Sequence, residues 1–574
     1  MTKTNDIVRR LEEMATLLEL KGANPFKVRA YQNAARSLMT HDDDLELALE
    51  KGQLTKIKGV GPGIAKDIQD FFHTGEMLEL KTLRESFPST LFELLEVPGL
   101  GPKKVKKLFD ELQIESLGEL EYACHENRLV KLDGFGSKTQ EKILKGIALL
   151  KQRRNTFLYP EAFEQAHVLL QQMSKWKEIK QIEIAGSLRR RKETIHDIDL
   201  VCSADQENAE VVMRRFVNLV SPNDVISHGT TKSSISYRGI QVDLRVVKES
   251  EYIFALHHFT GSKEHNTLLR GLAKKQGYIL NEYGLFKGES LVKCQTEANI
   301  YEQLKLDYIP PELREGLSEI EMSKDHQLPN IITLEDIRGI FHVHTNYSDG
   351  KNTLEEMVRA ASERGYTYIG ISDHSQSAFY AHGLKEKDID AQFIEIDRVQ
   401  KQFPKIRIFK GIESDILSDG NLDYPKHVLK RFDFVIGSVH SRFKMSQEEM
   451  TKRCVRALEN PFCTILGHPT GRLLLARDGF QIDVQRILDV AKKEGKIVEL
   501  NANPHRLDLD WRILYTNRND CPYISINPDA HDVEGLSHVT MGVSMARKGG
   551  LTKDHVFNTK TTKEIETYFA RQRA

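Results

Sequence analysis

Seven short apolar segments that alternate with helical stretches after Ile331 constrain the fold of this 574-residue chain more than any other feature. Repeated strand–helix units form a parallel sheet with helices packed outside it. We therefore predict a closed or nearly closed α/β barrel, in which chemistry sits at the carboxyl ends of the strands. The segments are 339–343, 368–371, 406–410, 434–436, 464–466, 497–500 and 523–526.

Histidines and carboxylates follow nearly every one of these segments. A lone histidine at a strand end is more often structural, but six histidines and three carboxylates in register with the strand ends predict a metal site. The donors suit Zn²⁺, Mn²⁺ or Fe and are too rich in nitrogen for Mg²⁺. The candidate ligands are His342, His344, Asp349, His374, Glu413, His440, His468, Asp529 and His531.

A second group of carboxylates lies upstream, in segments that alternate as strands. Asp197 and Asp199 are two residues apart on an apolar strand, so both side chains point to one face, and Asp243 lies in a similar strand. Three such carboxylates predict a site for two Mg²⁺ ions. The alternative, a basic loop followed by solvated acids, is disfavoured by the apolar neighbours Ile198 and Leu200.

The residues before this strand predict an anion site. Gly186 and Ser187 open a helix whose amino end can hold a triphosphate, and Arg190 would add charge-assisted hydrogen bonds. Gly-Ser-x-x-Arg followed by Asp-x-Asp resembles the nucleotidyltransferase superfamily. The continuation resembles the family X DNA polymerases over residues 1 to about 318, through these segments: His258-Phe259-Thr260-Gly261-Ser262, Asn266, Arg270, Gly277-Tyr278-Ile279-Leu280-Asn281-Glu282-Tyr283 and Tyr308-Ile309-Pro310-Pro311-Glu312-Leu313-Arg314.

This resemblance implies roles for further residues. Phe259 and Gly261 would flank the sugar of a bound dNTP, Asn266 would reach the minor-groove edge of its base, and Arg270 would contact the template. Two positions depart from the family pattern. His258 stands at a position that is commonly Tyr in the family. Gln241 stands where the animal member of the family, DNA polymerase beta, has Arg.

Three Gly-apolar-Gly hairpins open helices in the first 155 residues, which read as almost entirely helical. Two glycines allow a tight turn, and the following helix presents free N–H groups to a DNA phosphate without contacting a base. The hairpins resemble helix–hairpin–helix motifs, which often bind DNA through a monovalent cation. A plain helix-start turn is the alternative for any one of them. The candidate DNA-binding residues are Gly59, Gly61, Gly63, Gly99, Gly101, Lys103, Gly134 and Gly136.

One activity of the animal enzyme is not expected here. The resemblance places Asp67 at the position of the lysine that forms a Schiff base with 5′-deoxyribose phosphate. Lys66 is adjacent, but one residue along a helix turns a side chain by about 100°. We therefore predict weak or absent lyase activity.

The C-terminal ligand set resembles the PHP (polymerase and histidinol phosphatase) family over residues 335 to 574. The resemblance implies three metals, held by His342, His344, Glu413 and Asp529; by Glu413, His440 and His468; and by Asp349, His374 and His531. Glu413 would bridge the first two. Lys410, Ser438, Arg442 and Arg472 are further candidates for phosphate contacts.

The fold class expected is multidomain: a helical helix–hairpin–helix region, an α+β nucleotidyltransferase palm and thumb, and a distorted (β/α)7 PHP barrel. The predicted domains are a helical domain at 1–82, a second helix–hairpin–helix subdomain at 83–155, the palm at 156–249, a nucleotide-selection subdomain at 250–318, a linker at 319–334 and the PHP domain at 335–574.

Composition limits the compartment and the partners. The net charge of −1 excludes a uniformly basic coat, so DNA contacts must be local. The six cysteines are scattered without a C-x-x-C, which disfavours disulfides and thiolate zinc sites. No apolar run is long enough to span a bilayer and no signal peptide is recognisable, so a cytoplasmic protein without a membrane partner is expected. A monomer is the expected oligomeric state.

The function predicted is gap filling in DNA repair, including base excision repair, on gapped or primer–template DNA with dNTPs. Mg²⁺ is expected at the polymerase site and up to three Mn²⁺ or Zn²⁺ ions in the PHP domain. That domain is predicted to be a 3′–5′ exonuclease or 3′-phosphodiesterase. The alternatives are an apurinic-site endonuclease, a small-molecule phosphatase and a structural metal-binding module.

Overall fold

The chain forms two units in the computed structural model, Met1–Lys151 and Gln152–Ala574. The structure describes residues 3–39, 45–130, 132–151 and 156–573. The predicted boundary at residue 155 falls in the segment 152–155, outside the described residues. None of the described helices combines the length and the apolar character needed to cross a membrane.

The first unit is helical, as predicted. The side chains that repeat at helical spacing in the first helix, Leu11, Met14, Leu17 and Leu18, are at most 3% exposed and form its core with the following helices. Its helices are α1 (Lys3–Leu20), α2 (Pro25–Met39), α3 (Leu45–Glu50), α4 (Pro62–Thr74), α5 (Leu78–Glu85), α6 (Pro102–Leu112), α7 (Leu117–His125) and α8 (Ser137–Lys151).

The second unit begins with a five-stranded mixed sheet in the order β2-β4-β7-β6-β5. Strands β4 and β7 are parallel neighbours at its centre, and β4 is antiparallel to β2. The elements are β1 (Phe157–Leu158), α9 (Tyr159–Met173), β2 (Gln181–Ile184), α10 (Gly186–Arg189), β3 (Thr194–Ile195), β4 (Asp197–Ser203), α11 (Ala209–Val217), β5 (Val225–His228), β6 (Lys232–Tyr237) and β7 (Ile240–Val247).

A smaller α+β subdomain follows the sheet. Its core contains Phe254, Leu269, Tyr301 and Ile309, all at most 2% exposed. The elements are α12 (Tyr252–Thr260), α13 (Lys263–Lys275), β8 (Tyr278–Asn281), β9 (Gly284–Lys287), β10 (Ser290–Leu291), α14 (Glu297–Gln303) and α15 (Glu319–Lys324).

The segment predicted as a linker, 319–334, is packed rather than extended. Glu319 is 2% exposed and accepts a hydrogen bond from His265 Nδ1 at 2.8 Å. Ile320 joins the core of the preceding subdomain, and the Ile332 N–H donates to the Leu551 carbonyl of the last domain. Apolar residues within a polar stretch therefore fix this connection to both of its neighbours.

Seven parallel strands in chain order form the last domain, which confirms the predicted barrel. A parallel bridge between Val343 and Ala530 brings the first strand to the end of the last one, so the barrel is nearly closed. The strands are β11 (Gly339–Val343), β12 (Tyr368–Ile371), β13 (Arg407–Asp415), β14 (Phe434–Ser438), β15 (Ile465–Leu466), β16 (Ile497–Asn501) and β17 (Ile524–Asn527). The helices are α16 (Leu354–Glu363), α17 (Glu386–Gln402), α18 (Lys426–Leu429), α19 (Gln447–Leu458), α20 (Val484–Lys493), α21 (Trp511–Asn517), α22 (Val539–Lys548) and α23 (Thr562–Arg573).

Aromatic side chains fill one end of this barrel. Phe341, Phe409 and Phe434 project from β11, β13 and β14, and the ring of Phe569 in α23 lies 5.5–5.7 Å from each of theirs. Aromatic contacts of this kind contribute beyond the area they bury. The final helix thus closes the barrel with an apolar plug, and the polar candidate ligands collect at the strands' carboxyl ends.

Candidate active sites

The central strand pair of the palm brings the three predicted carboxylates together. In the parallel register of β4 and β7, Asp199 lies opposite Asp243 and Asp197 lies opposite Gln241. Burial, with added repulsion from Asp197 and Asp243, raises the pKa of Asp199 to about 7. Such a cluster is unfavourable without cations between the carboxylates, so its chemistry fits hard divalent ions.

Asp243 has protein partners that the sequence did not reveal. Lys232 Nζ on the adjacent β6 lies 2.6 Å from Asp243 Oδ2, and Gln241 Nε2 donates to Oδ1 at 2.9 Å. Burial acts to raise the pKa of Asp243, but hydrogen bonds from Lys232, Gln241 and Ser234 outweigh it and hold the pKa below its ordinary value. The departure at Gln241 therefore places an amide on a candidate metal ligand.

A cavity of about 510 Å³ opens beside these carboxylates. Its wall includes Asp197 and Asp199 together with all seven predicted nucleotide contacts, which are Gly186, Ser187, Arg190, Phe259, Gly261, Asn266 and Arg270. The Asn266 side-chain amide donates to the His258 carbonyl at 2.7 Å. Its Oδ1 is buried and has no hydrogen-bond partner among the described residues, so it is available to a ligand.

Gly186 is required by the geometry of this site. Its φ of +62° lies in the left-handed region, and an added Cβ would overlap Asp199 Oδ2. The helix that it opens, α10, is a single turn of four residues. Arg190 follows this turn, is 9% exposed, and donates through Nη1 to the Thr260 carbonyl.

The glycine hairpins of the first unit have the predicted turn geometry. The first glycine of each, Gly59, Gly99 and Gly134, has a φ between 84° and 90°. The apolar residues between the glycines are buried, and Gly61, Gly63, Gly101 and Gly136 have open space where a Cβ would stand. Lys103 is exposed on the first turn of α6. Such turns let a phosphate backbone approach the helix ends closely.

The predicted lyase position carries a buried carboxylate. Asp67 is 7% exposed and accepts a hydrogen bond of 2.6 Å from the Tyr31 hydroxyl. Burial raises the pKa of Asp67 above its ordinary value. Lys66 is exposed on the adjacent helical position, so the two side chains occupy different faces of α4.

The nine candidate ligands of the barrel converge on Glu413. Imidazole nitrogens of five histidines lie 2.9–3.6 Å from its carboxylate, namely those of His342, His344, His374, His440 and His468. Asp529 Oδ1 lies 3.4 Å from His342 Nε2 and 3.3 Å from His344 Nε2. Asp349 lies 3.5 Å from nitrogens of both His374 and His531. His342 and Glu413 lie within strands rather than after them.

Several buried atoms of this cluster have no hydrogen-bond partner within the part of the chain that the structure describes, which indicates that the cluster fits metal ions. They include His342 Nε2, both ring nitrogens of His344 and of His374, and Glu413 Oε2. Such atoms are costly unless an ion or water satisfies them. His342, His468 and Asp529 also have positive φ values of 58°, 23° and 50°, a strained backbone that clusters at functional sites.

The protonation states of Glu413, His344 and His468 suit metal binding. Burial acts to raise the pKa of Glu413, but His342, His374 and His440 outweigh it and hold the pKa well below its ordinary value. Burial lowers the pKa of His344 to about 3 and that of His468 to about 4. Glu413 is therefore ionised and His344 and His468 are neutral, which are the forms that ligate metals. Burial acts to lower the pKa of His342 and His440, but the acids around them outweigh it and raise both, so a metal must displace a proton from these two rings.

Two further carboxylates orient these ligands and a third holds a neighbouring loop, and none of the three was predicted from the sequence. Glu499, which is fully buried, accepts a 2.6 Å hydrogen bond from His342 Nδ1 and another from the His468 N–H. Asp415 accepts from His440 Nδ1 at 2.6 Å. Asp373 holds the loop after β11 through the Thr345 N–H and hydroxyl. Partners of this kind fix ring orientation and tautomer. Glu499 carries the signal used for Asp243, an acid within an apolar strand, whereas Asp415 ends β13 and Asp373 follows β12.

Two of the candidate phosphate contacts are engaged elsewhere. Lys410 Nζ pairs with Asp397 at 2.6 Å on the outer helix α17. Arg472 pairs with Asp510 and donates to the Arg506 carbonyl at 2.9 Å. These contacts give both cations structural partners, and their contact with phosphate stays a prediction.

Family comparisons agree with both sites. The DNA polymerase beta thumb family matches residues 255–315, a helix–hairpin–helix domain matches 3–77, a SAM-like helix–hairpin–helix tandem matches 91–148, and the PHP domain matches 341–503. The DNA polymerase/3′-5′ exonuclease PolX of Bacillus subtilis (strain 168) is 38% identical over 99% of this chain and 99% of its own length. This chain belongs to the PolX family. The predicted membership of the family X polymerases, with a PHP domain in the same chain, is therefore confirmed.

Shorter relatives resemble part of this family X chain. A probable phosphatase from Caldanaerobacter subterraneus subsp. tengcongensis is 31% identical over 258 residues, covering 40% of this chain and 91% of its own length. Another from Thermoanaerobacter sp. (strain X514) is 28% identical over 233 residues, covering 39% of this chain. Both of these relatives are named as probable phosphatases.

Proposed function

We propose that this chain is a DNA-directed DNA polymerase that fills short gaps during DNA repair and trims 3′ ends through its PHP domain. The observation that carries the proposal is the cavity beside β4 and β7. Its wall joins Asp197 and Asp199 to an arginine, a glycine turn and an amide, and Asp243 lies opposite Asp199 in the sheet register. That combination suits a deoxynucleoside triphosphate. Membership of the PolX family supports it.

The residues of the palm divide the work. Asp197, Asp199 and Asp243 would hold two Mg²⁺ ions, which supply charge stabilisation for the primer hydroxyl and the departing pyrophosphate. Arg190 would bind the triphosphate, and Asn266, which lines the cavity, would reach the minor-groove edge of the incoming base, where its amide N–H can donate to the N3 or O2 acceptor. Phe259, with the Arg245 guanidinium 4.0 Å from its ring, would pack beside the sugar, and Arg270 would contact the template.

The barrel would hold up to three Mn²⁺ or Zn²⁺ ions, which supply a nucleophile and electrophilic stabilisation for phosphodiester hydrolysis. Glu413 is the shared ligand, because five histidines surround it. We favour 3′–5′ exonuclease action over a small-molecule phosphatase because the relative matched along its whole length is a polymerase/exonuclease. Small-molecule phosphatase activity stays the alternative, because the shorter relatives are named as probable phosphatases.

DNA contacts of the first unit would be made by its hairpins. The buried apolar residue of each hairpin anchors a turn whose glycines are open to the surface. Backbone N–H groups there can bind phosphates of gapped or primer–template DNA without reading sequence, with or without a monovalent cation. We propose that the polymerase acts on such DNA as a monomer.

Separate losses of the two activities test the assignment. A 5′-labelled primer annealed to a gapped template is incubated with dNTPs and Mg²⁺, or with Mn²⁺ alone. Asp199→Ala should abolish extension and leave degradation intact. Glu413→Ala should lose bound metal and degradation, and should leave extension intact. Loss of both activities in either variant, or turnover of histidinol phosphate without degradation of the primer, would contradict the proposal.

A further inference from the structure

The loop that follows the Arg190 turn is held by helices of the barrel domain. Arg191 Nη1 donates to Ser544 Oγ in α22 at 2.6 Å. Glu193, 8% exposed, accepts from Trp511 Nε1 at 3.2 Å and from Arg512 Nη1 at 2.6 Å, both in α21. Arg191 and Glu193, which follow Arg190 of the proposed nucleotide site, are therefore held by side chains of the PHP barrel.

Lys548, the last residue of α22, reaches the nucleotide site itself. It is 1% exposed, and its Nζ donates to the Arg190 carbonyl at 3.0 Å and to Glu315 Oε1 at 2.6 Å. The same nitrogen lies 4.6 Å from the Trp511 ring. A buried ammonium with two such partners is fixed in place, because leaving it unpaired would be costly.

Glu315 is the link between Lys548 and Arg190. Its Oε1, which Lys548 contacts, is also 3.3 Å from Arg190 Nε, and its side chain lines the cavity. Burial acts to raise the pKa of Glu315, but Lys548 and Arg190 outweigh it and hold the pKa below its ordinary value. A negative carboxylate therefore stands beside the arginine proposed to bind a triphosphate.

We propose that Lys548 of the barrel domain is a positioning residue for the polymerase, which neutralises Glu315 so that Arg190 can bind the nucleotide triphosphate. Without Lys548, Arg190 is the one ion-pair partner that Glu315 keeps among the described residues, and Glu315 competes with the triphosphate for it. It also places an unbalanced negative charge in a cavity that must accept an anion. The inference rests on the proposed role of Arg190.

Steady-state gap filling by the full chain tests this coupling. Lys548→Met keeps the length of the side chain and removes its charge, and it should raise the KM for dNTP by about tenfold or more with a smaller change in kcat. Arg547→Met is the matched control. Arg547 pairs with Glu312 at 2.8 Å in the same interface and makes no contact with Glu315 or Arg190 in the described structure. Its KM should change by less than about twofold.

Rescue separates charge balance from simple packing. Glu315→Gln removes the charge that Lys548 neutralises, so adding it to Lys548→Met should return the KM for dNTP close to that of Glu315→Gln alone. Exonuclease activity of each variant reports that the barrel domain is folded. Equal KM values for the variants at Lys548 and Arg547, or no rescue in the double variant, would overturn the proposal.

Two further variants cover other outcomes. If Lys548→Met does not fold, Lys548→Gln keeps a hydrogen-bond donor and should give the same rise in KM. If neither folds, Glu315→Gln alone should lower the KM, and an unchanged or higher value overturns the proposal. Arg190→Ala separates the two hypotheses. An unaltered KM there would refute the nucleotide site itself, whereas a raised KM with no effect at Lys548 would refute only the coupling.

Discussion

Replacing Asp199 with asparagine should stabilise the metal-free protein while abolishing nucleotide addition. Burial and the neighbouring Asp197 and Asp243 raise the pKa of Asp199 to about 7, so its ionised form is disfavoured in the folded chain. Asparagine has nearly the same shape and no charge, and it fits beneath Gly186 without a cavity. It is also a poor ligand for Mg²⁺, so the polymerase reaction is lost.

The size of the stabilisation follows from the pKa of Asp199. A rise from 3.8 to about 7 corresponds to a charging cost of about 4 kcal/mol above neutral pH. Relaxation of the side chain reduces this, and we expect an observed gain of roughly 1–3 kcal/mol. Because a unit of this length has a large entropy of unfolding, each kcal/mol corresponds to only about 1 °C in Tm.

Calorimetry in EDTA at several pH values measures the effect. Between pH 3.8 and about 7 the folded chain retains the Asp199 proton while the unfolded chain has released it. Stability contributed by this group therefore falls as pH rises through that window and then levels off. The gap between Asp199→Asn and the unaltered protein should widen from pH 4 to 7, and Mg²⁺ should narrow it by offsetting the repulsion.

A surface carboxylate provides the control for this measurement. Asp205, whose side chain is 53% exposed, pairs with Lys180 at 2.7 Å. Asp205→Asn should destabilise the protein slightly or not at all, because an exposed ion pair contributes little to stability. Equal melting temperatures for Asp199→Asn and the unaltered protein at pH 8 in EDTA would refute the reasoning, as would a gap that stays constant with pH.

Three other outcomes are expected. Gly186→Ala should abolish gap filling because its Cβ would overlap Asp199 Oδ2, and a variant that fills gaps at the normal rate would contradict this. Borohydride should trap little or no covalent adduct on an incised abasic site; efficient trapping that Lys66→Ala removes would show that the neighbouring amine serves as a lyase. Glu499→Gln should weaken metal binding by about 10- to 100-fold, since His342 loses its anionic partner. Elemental analysis after dialysis measures this loss, and full metal retention would count against it.

The barrel could be predicted from the sequence because two independent signals coincide. Short apolar segments marked the strands, and the polar residues after them marked the ends at which ligands gather. The structure begins β11 and β12 at the predicted residues and extends β13 to Asp415, five residues beyond the predicted end. The extension arises because Glu413 and Asp415 are buried acids with partners in the barrel, and a polar residue otherwise reads as the end of a strand.

The residues that orient the ligands could not be assigned in the same way. Glu499 lies in an apolar strand like Asp243, but its partners, His342 and the His468 N–H, are 157 and 31 residues away. Sequence spacing reports the face of a strand on which a side chain lies. It does not report which side chain from another strand completes the hydrogen bond, since that depends on barrel closure.

The contact of Lys548 with the proposed nucleotide site could not be predicted from the sequence for a related reason. Lys548 ends an amphipathic helix and precedes two glycines, a setting in which a lysine normally serves as a solvated helix terminus. Its partners Glu315 and Arg190 lie 233 and 358 residues earlier in the chain. The packed segment 319–334 and the contacts of Arg191 and Glu193 with α22 and α21 together hold the barrel against the palm. The burial of Lys548 is compensated only in that arrangement, because its partners come from the other side of this contact.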